Sequence, residues 1–326
     1  MARGLKQPPR VVAFGGGHGL SASLTALRRI TNRLTAVVTV ADDGGSSGRL
    51  RGEFNCLPPG DLRMALAALC SGDQVGRTWA HVLQSRFGGH GPLAGHAIGN
   101  LLIAGLWQQL DDPVAGLDMV GDLLRTQGRV LPMSSVPLQI EADVVGMEGE
   151  TPDEPCTLRG QATVAATRAT VQNVRLIPEN PPARPEAVQA VLDADSIVLG
   201  PGSWFTSVIP HLLVPDLAQA IIDTKAQRIL VLNIEPAAET DGFSASKHIE
   251  LLAEHAPQLR LDMVIADPRF AAHDPNLETY AASLGAKVRV VDVAMRDGSA
   301  RHDPNRLASV LSEAIGDGLN PPAMRG

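Results

Sequence analysis

The chain has 326 residues, 44% of them hydrophobic and 19% charged, and 28 basic against 35 acidic side chains give a formal net charge of −7. That length allows a sizeable core, and the 32 glycines and 24 prolines are spread along the chain rather than gathered in tracts, which excludes a disordered, collagenous or low-complexity protein. The basic residues form no long Lys/Arg run and no apolar stretch approaches the roughly 18 residues of a membrane span, so neither nucleic acid nor a bilayer is expected as a partner.

The N-terminal MARGLKQPPR runs through Val11–Phe14 directly into three glycines, leaving no room for the apolar region of a signal peptide. Cys56, Cys70 and Cys156 are odd in number and lack CxxC spacing, which points to neither a disulfide framework nor a zinc site. A cytoplasmic protein is expected. With only ten aromatic residues, the core must be built from Ala, Val, Leu and Ile, which suits helices layered on a sheet.

In chain order, short β-branched runs alternate with helix-period segments. A strand over Arg10–Phe14 precedes a helix over Ser21–Ile30, and a strand over Leu34–Val40 precedes a long polar loop. A helix follows at Leu57–Leu69. After the middle of the chain come strands at Ser196–Leu199, Arg228–Asn233, Met263–Ala266 and Lys287–Val291, with helices at Ser246–His255, Leu277–Leu284 and Asn305–Ile315. This alternation predicts an α/β fold with a mostly parallel sheet of at least six strands and helices on both faces. Leu138–Val145 instead alternates apolar with polar residues, and strand-like runs follow at Leu158–Val164 and Val171–Ile177. Residues 130–178 are therefore expected as a small antiparallel β insertion within one α/β domain spanning 1–326, with an acidic loop at 146–155 and a stiff linker at 178–187.

The chemistry-bearing residues gather in the loops. In AFGGGHGLSAS, Gly15, Gly16, Gly17 and Gly19 permit positive φ and close approach of a ligand, and Ser21 is placed to cap the next helix, whose N-terminus attracts phosphate. A nucleotide diphosphate is the natural guest; a bare tight turn is the alternative. Gly17-His18-Gly19-Leu20-Ser21-Ala22 also fits GxGxxA, a weak dinucleotide signal when it stands alone. In VADDGGSSGRLR, Asp42 and Asp43 can hold Mg²⁺ or a ribose, Ser46 and Ser47 offer hydroxyls, and Arg49 and Arg51 can neutralise phosphate; a solvated connection is the alternative.

Asp61 reads as a helix cap, with a ligand role for Asp61 or Arg63 left open. His96 and Asn100 lie four apart and read as a buried, hydrogen-bonded pair on one helix face. LGPGSWFTSVIP repeats the first loop's pattern with Gly200, Gly202, Ser203, Thr206 and Ser207 as donors. Asn233, Glu239, Thr240 and Asp241 follow another strand end, where Ser244 or Ser246 caps a helix. Arg296 and Arg301 could each reach a second phosphate; simple solvation of lone surface arginines is the alternative.

Taken together, TVADDGGSSGRLR (39–51), LPPGDLR (57–63), GHAIGNL (95–101), GPGSWFTSVIP (200–210) and ETDGFSAS (239–246) resemble the gluconeogenesis-factor, or YvcK-like, family over about residues 10–315. That family is related to 2-phospho-L-lactate transferase and shares its Rossmann-like α/β core. The resemblance implies a cytoplasmic regulator that binds a UDP-sugar such as UDP-N-acetylglucosamine and supports cell shape and wall synthesis on gluconeogenic carbon. It places the nucleotide at Gly15–Gly19, with His18 among them, at Asp42 and Asp43, and at Gly200–Ser203. It also leaves room for a homodimer and for a regulatory protein partner.

Two departures stand out. Glu235-Pro236-Ala237-Ala238 replaces the family's Thr-Gln-Pro-Gly stretch, and GGSSGRLR replaces the transferase branch's Ser-Pro-Asp-type segment. The alternative to a binding regulator is a Mg²⁺-dependent phosphotransferase that passes a phospholactyl group to a deazaflavin alcohol. A dehydrogenase, resting on GxGxxA alone, is the third reading.

Overall fold

The computed structural model describes residues 7–147, 154–272 and 274–319. Its centre is a seven-stranded, wholly parallel sheet. The ten strands among the described residues are β1 (Val11–Gly15), β2 (Leu34–Val38), β3 (Arg129–Pro132), β4 (Gln139–Val145), β5 (Cys156–Arg159), β6 (Thr170–Ile177), β7 (Ser196–Leu199), β8 (Gln227–Val231), β9 (Met263–Ala266) and β10 (Lys287–Val290). The large sheet runs β10-β9-β8-β7-β1-β2-β3, and a three-stranded antiparallel sheet runs β5-β4-β6. Strands β1 and β7 are buried along their whole length, which is why they read as unbroken apolar runs: a parallel sheet is covered on both faces. The order 3-2-1-7-8-9-10 reverses direction between β1 and β7. At such a reversal the loops leaving the carboxyl ends of two neighbouring strands diverge and open a crevice.

Helices surround the sheet. Those that matter to the crevice are α1 (Gly17–Leu27), α2 (Gly45–Phe54), α3 (Pro59–Leu69), α4 (Gln74–Gln84), α5 (Ile98–Trp107), α6 (Pro113–Leu124) and α7 (Gln161–Ala166). Several expectations are corrected here. The glycine loop after β1 is itself the first turn of α1, with Gly16 as its N-cap, so Ser21 lies inside the helix and caps nothing. The polar loop expected after β2 is mostly helix: Gly45–Phe54 forms α2, although its glycines and serines are poor helix formers, because Ser46, Ser47 and Leu50 are buried and anchored by tertiary contacts. Asp61 does not cap α3; Pro58 occupies that position and Asp61 sits in the first turn.

The β insertion begins later than expected, since Val130 pairs with Ala36 in the large sheet and the first antiparallel strand starts at Gln139. The run Leu158–Val164 is not one strand, for β5 ends at Arg159 and α7 begins at Gln161. Gly160 between them takes φ +98°, which lets the chain turn sharply from strand to helix. Of the acidic loop at 146–155, residues 148–153 lie outside the described residues.

Asp267 secures the end of β9. Its carboxylate accepts from the N–H groups of Val293 at 2.9 Å, Ala294 at 3.1 Å and Arg269 at 2.9 Å, and it is 2% exposed. The segment so held leads into Met295–His302, which lines the crevice. Asp267→Ala strips two buried N–H groups of their acceptor and is expected to cost about 2–4 kcal/mol in a urea melt. A melt within 0.5 kcal/mol of wild type would show that the carboxylate is not what holds this segment.

Candidate functional site

The loops at the carboxyl ends of β1, β2, β7 and β8 enclose two cavities. The larger, about 510 Å³, is lined by His18 and Gly19 of α1, by Gly202 and Ser203, by Asn233–Ala237, and by Met295 and Ala300–His302. The smaller, about 220 Å³, is lined by Asp42, Gly44–Ser47, Gly60, Asp61, Arg63, Met64, Arg86 and Asn100.

Around the larger cavity, two glycine-bearing corners meet because neither carries a side chain. A Cβ on Gly19 would stand 2.2 Å from the Pro201 carbonyl oxygen and 2.8 Å from the Gly202 Cα. Gly200 takes φ +72°, and its carbonyl accepts from the Ser23 hydroxyl at 2.9 Å, tying the second corner to α1. Asn233 clamps Gly202 from the far side: its Oδ1 accepts from the Gly202 N–H and its Nδ2 donates to the Gly202 carbonyl, both at 2.9 Å. Ser203 donates to Glu239 Oε1 at 2.6 Å, and the same oxygen accepts from the Phe205 N–H at 3.1 Å. Glu239 is 2% exposed, and burial pushes its carboxyl above the usual range. Arg301 lines the cavity but is paired with Asp297 at 2.8 Å.

Between the cavities stands Asp61. Its Oδ2 accepts from the Thr39 hydroxyl at 3.2 Å, and the carboxylate also accepts from the Gly17 N–H. A Cβ on Gly16 would lie 2.5 Å from both Asp61 Oδ2 and Thr39 Oγ1, so a larger residue there must displace one or both of these side chains. Burial, and then the charge of Asp42, push the Asp61 carboxyl up to about 6 against these hydrogen bonds.

The two expected metal acids part company. Asp42 lines the smaller cavity with one oxygen on the Gly44 N–H at 3.0 Å, whereas Asp43 accepts from the Ala162 N–H at 3.0 Å and so holds the N-terminus of α7. Joint chelation by Asp42 and Asp43 is therefore not what the geometry offers. Among the described residues no group of three or more His, Cys, Asp or Glu side chains converges on one point. Asp42 and Asp61 share the smaller cavity with Ser47, but the Asp61 carboxylate is engaged by Thr39 and the Gly17 N–H.

Ser46 and Ser47 line the smaller cavity, but Arg49 lines neither. It is exposed and spends its guanidinium on the carbonyls of Pro92 at 3.3 Å and Ala94 at 2.9 Å, pinning the glycine-rich loop 87–95. Ser46 accepts from Asn100 Nδ2 at 3.0 Å and more weakly from the Ala97 N–H, so its own proton goes to His96 Nδ1, 3.0 Å away. His96 thus precedes helix α5 rather than lying on it. Asp61 and Arg63, whose ligand role the sequence left open, both line the smaller cavity, as does Asn100, which the sequence placed only as a buried partner of His96.

Asp61 has a consequence for stability. A carboxyl raised to about 6 when folded binds more protons than it does unfolded, so it lowers stability as pH rises from about 4 through 6. Asp61→Asn keeps an acceptor for Thr39 and is expected to be more stable than wild type at pH 7.5 by roughly 1–2 kcal/mol, with no gain at pH 4. Denaturant melts at the two pH values check this, and equal stabilities at pH 7.5 would overturn it.

Residues 11–303 match the family described as 2-phospho-L-lactate transferase CofD. A "Putative gluconeogenesis factor" of Mycobacterium tuberculosis is 56% identical over 306 residues, covering 92% of this chain and 89% of its own. The "Gluconeogenesis factor" of Listeria innocua is 34% identical over 315 residues, covering 93% of this chain and 94% of its own. Among solved structures, a member of the UPF0052 family from Bacillus halodurans superposes with a TM-score of 0.81 at 31% identity, over 96% of this chain and 99% of that one. An unbroken match to the family over most of the chain, with such relatives along its length, makes this chain a member of the gluconeogenesis-factor branch of the 2-phospho-L-lactate transferase CofD family.

Proposed function

We propose that the protein is a nucleotide-sugar-binding regulator whose larger cavity takes a ligand of the UDP-N-acetylglucosamine type. The observation that carries this is the Gly19–Gly202 contact with Asn233 clamped behind it. The first turn of α1, whose N-cap Gly16 offers no side-chain cap, and the Gly202–Ser203 corner border the same space, an arrangement that favours a diphosphate. His18, Gly19 and Ser203 receive the diphosphate, and Asn233 and Arg301 stand round the nucleoside and sugar. The relatives called gluconeogenesis factors support the reading that occupancy serves cell shape and wall synthesis during growth on gluconeogenic carbon.

Occupancy has a structural route to another protein's notice. Ser203 hydrogen-bonds Thr206, Thr206 accepts from Gln161 at the start of α7, and Asp43 holds the N-terminus of the same helix. The small sheet and α7 are thus tied to both cavities, and a partner or a second copy of the chain that reads them reads the ligand.

A phosphotransferase reading has one observation in its favour, the Asp42–Asp61 pair beside Arg63. Against it, no aromatic side chain among the described residues lines the smaller cavity to receive a flat acceptor; Trp204 and Phe205 are 0% and 1% exposed and pack in the core.

Calorimetry with UDP-N-acetylglucosamine tests the main reading. Wild type is expected to bind, and Asn233→Ala, which frees the Gly202 corner, to bind about tenfold more weakly, the loss of roughly 1–1.5 kcal/mol of positioning hydrogen bonds. Gly19→Ala, whose methyl forces the corners apart, is expected to abolish the heat. Absence of heat for wild type at millimolar ligand would sink the reading, and turnover of a deazaflavin acceptor with Mg²⁺ would replace it with the second.

A further inference from the structure

We infer that the smaller cavity is an anion subsite, built to receive the phosphate or carboxylate of a small metabolite separately from the nucleotide crevice. Three helices start at its wall. Helices α2, α3 and α5, ten, eleven and ten residues long, all lack a side-chain cap at their N-termini, and each contributes first-turn residues to the lining: Ser46 and Ser47, Gly60 and Asp61, and Asn100. The free N–H groups of a helix's first turn and its dipole favour negative charge, and the starts of α2 and α3 bring theirs to one cavity of about 220 Å³, whereas at α5 the Ile98 and Asn100 N–H groups are bonded to the Ser85 and Ala97 carbonyls and the start adds only its dipole.

The second, independent observation is Arg63. It is 5% exposed and lines the cavity, its Nε donates to Asn100 Oδ1 at 2.8 Å, and its Nη1 is buried with no hydrogen-bond partner. A buried guanidinium nitrogen left without an acceptor is costly, and an oxyanion is what it is shaped to meet. Its position is not loose: Asn100, held by Ser46 at 3.0 Å, and Ser46, held by His96, fix the guanidinium through a chain of buried hydrogen bonds. Burial, and then the neighbouring Arg86, hold Arg63 down to about 10, so an incoming anion relieves both.

Two carboxylates share the cavity, with one Asp42 oxygen on the Gly44 N–H and the Asp61 carboxylate on Thr39 and the Gly17 N–H, and Arg63 and Arg86 line it with them. The open donors are those of Arg63, Arg86 and the helix starts. The volume suits a phosphate on a short carbon frame and is less than half that of the larger cavity, so a whole nucleotide does not fit.

The probe is inorganic phosphate, titrated by calorimetry with EDTA present into the Asn233→Ala protein, whose larger cavity is impaired. One phosphate per chain is expected to bind. Adding Arg63→Gln is expected to weaken it at least tenfold, and adding Asn100→Asp, which keeps an acceptor for Arg63 Nε while placing a negative charge in the cavity, to do the same. The second variant decides the matter should the first not fold. Phosphate binding that neither change affects, or none at all, overturns the subsite.

A repeat with wild type and UDP-N-acetylglucosamine separates the sources. Binding of phosphate to the nucleotide-filled protein assigns the subsite to a separate metabolite. Mutual exclusion, with both ligands weakened by Asn100→Asp, assigns it to the far end of the nucleotide ligand itself. Because the phosphate titration contains no nucleotide, it can fail while the nucleotide reading stands, and the reverse.

Discussion

The whole site depends on backbone meeting backbone at the switch point of the sheet. Strands β1 and β7 are neighbours, and their outgoing loops must pass so closely that Gly19 touches Pro201 and Gly202 with no room for a methyl group. Gly16 is under the same constraint from Asp61 and Thr39. Leaving side chains out of these corners exposes N–H groups, and exposed N–H groups at a helix start attract anions. The glycines therefore answer a packing demand and a binding demand at once. For that reason a tight turn and a phosphate loop were indistinguishable from sequence alone.

The second consequence is electrostatic. Drawing the loops together buries ionisable groups that would sit comfortably in water. Asp61 is squeezed between the glycine loop and Asp42, Glu239 lies under Ser203, and Arg63 lies under the starts of three helices. Each is desolvated more than its hydrogen bonds repay, which is the usual mark of a site that keeps its stabilisation for something it has yet to bind. Asp267, equally hidden, is different, with three N–H donors on its two oxygens.

The parallel sheet was legible because its strands are covered on both faces and appear as short apolar runs ending in glycine or aspartate; seven such strands are present where at least six were expected. The corners after β1 and β7 were legible for the same reason, and they do meet. What escaped was set by contacts between distant segments. GGSSGRLR carries few helix formers, and it is helical because Ser46 is anchored to His96 and Asn100, some fifty residues on. Asp42 and Asp43 are adjacent in sequence, yet α7, 119 residues further along, claims Asp43 and leaves Asp42 with Asp61. Leu158–Val164 kept a strand-like composition across a turn that only the φ of Gly160 reveals.

The division into two cavities also bears on the proposed regulatory reading of a chain whose family contains a transferase. Phosphoryl transfer needs donor phosphate, metal and acceptor to converge within one dry space, and convergence here would have to cross the ridge made by Gly16, Gly17 and Asp61. That ridge is rigid: glycine on one side admits no rearranged side chain, and the carboxyl on the other is held by Thr39 and the Gly17 N–H. Asp61 lines the smaller cavity and accepts from the Gly17 N–H, whose chain neighbours His18 and Gly19 line the larger one. On the proposed reading, two ligands connected through that contact affect each other's affinity, and linkage makes the effect reciprocal. A protein of that design would respond to two metabolites together without joining them chemically.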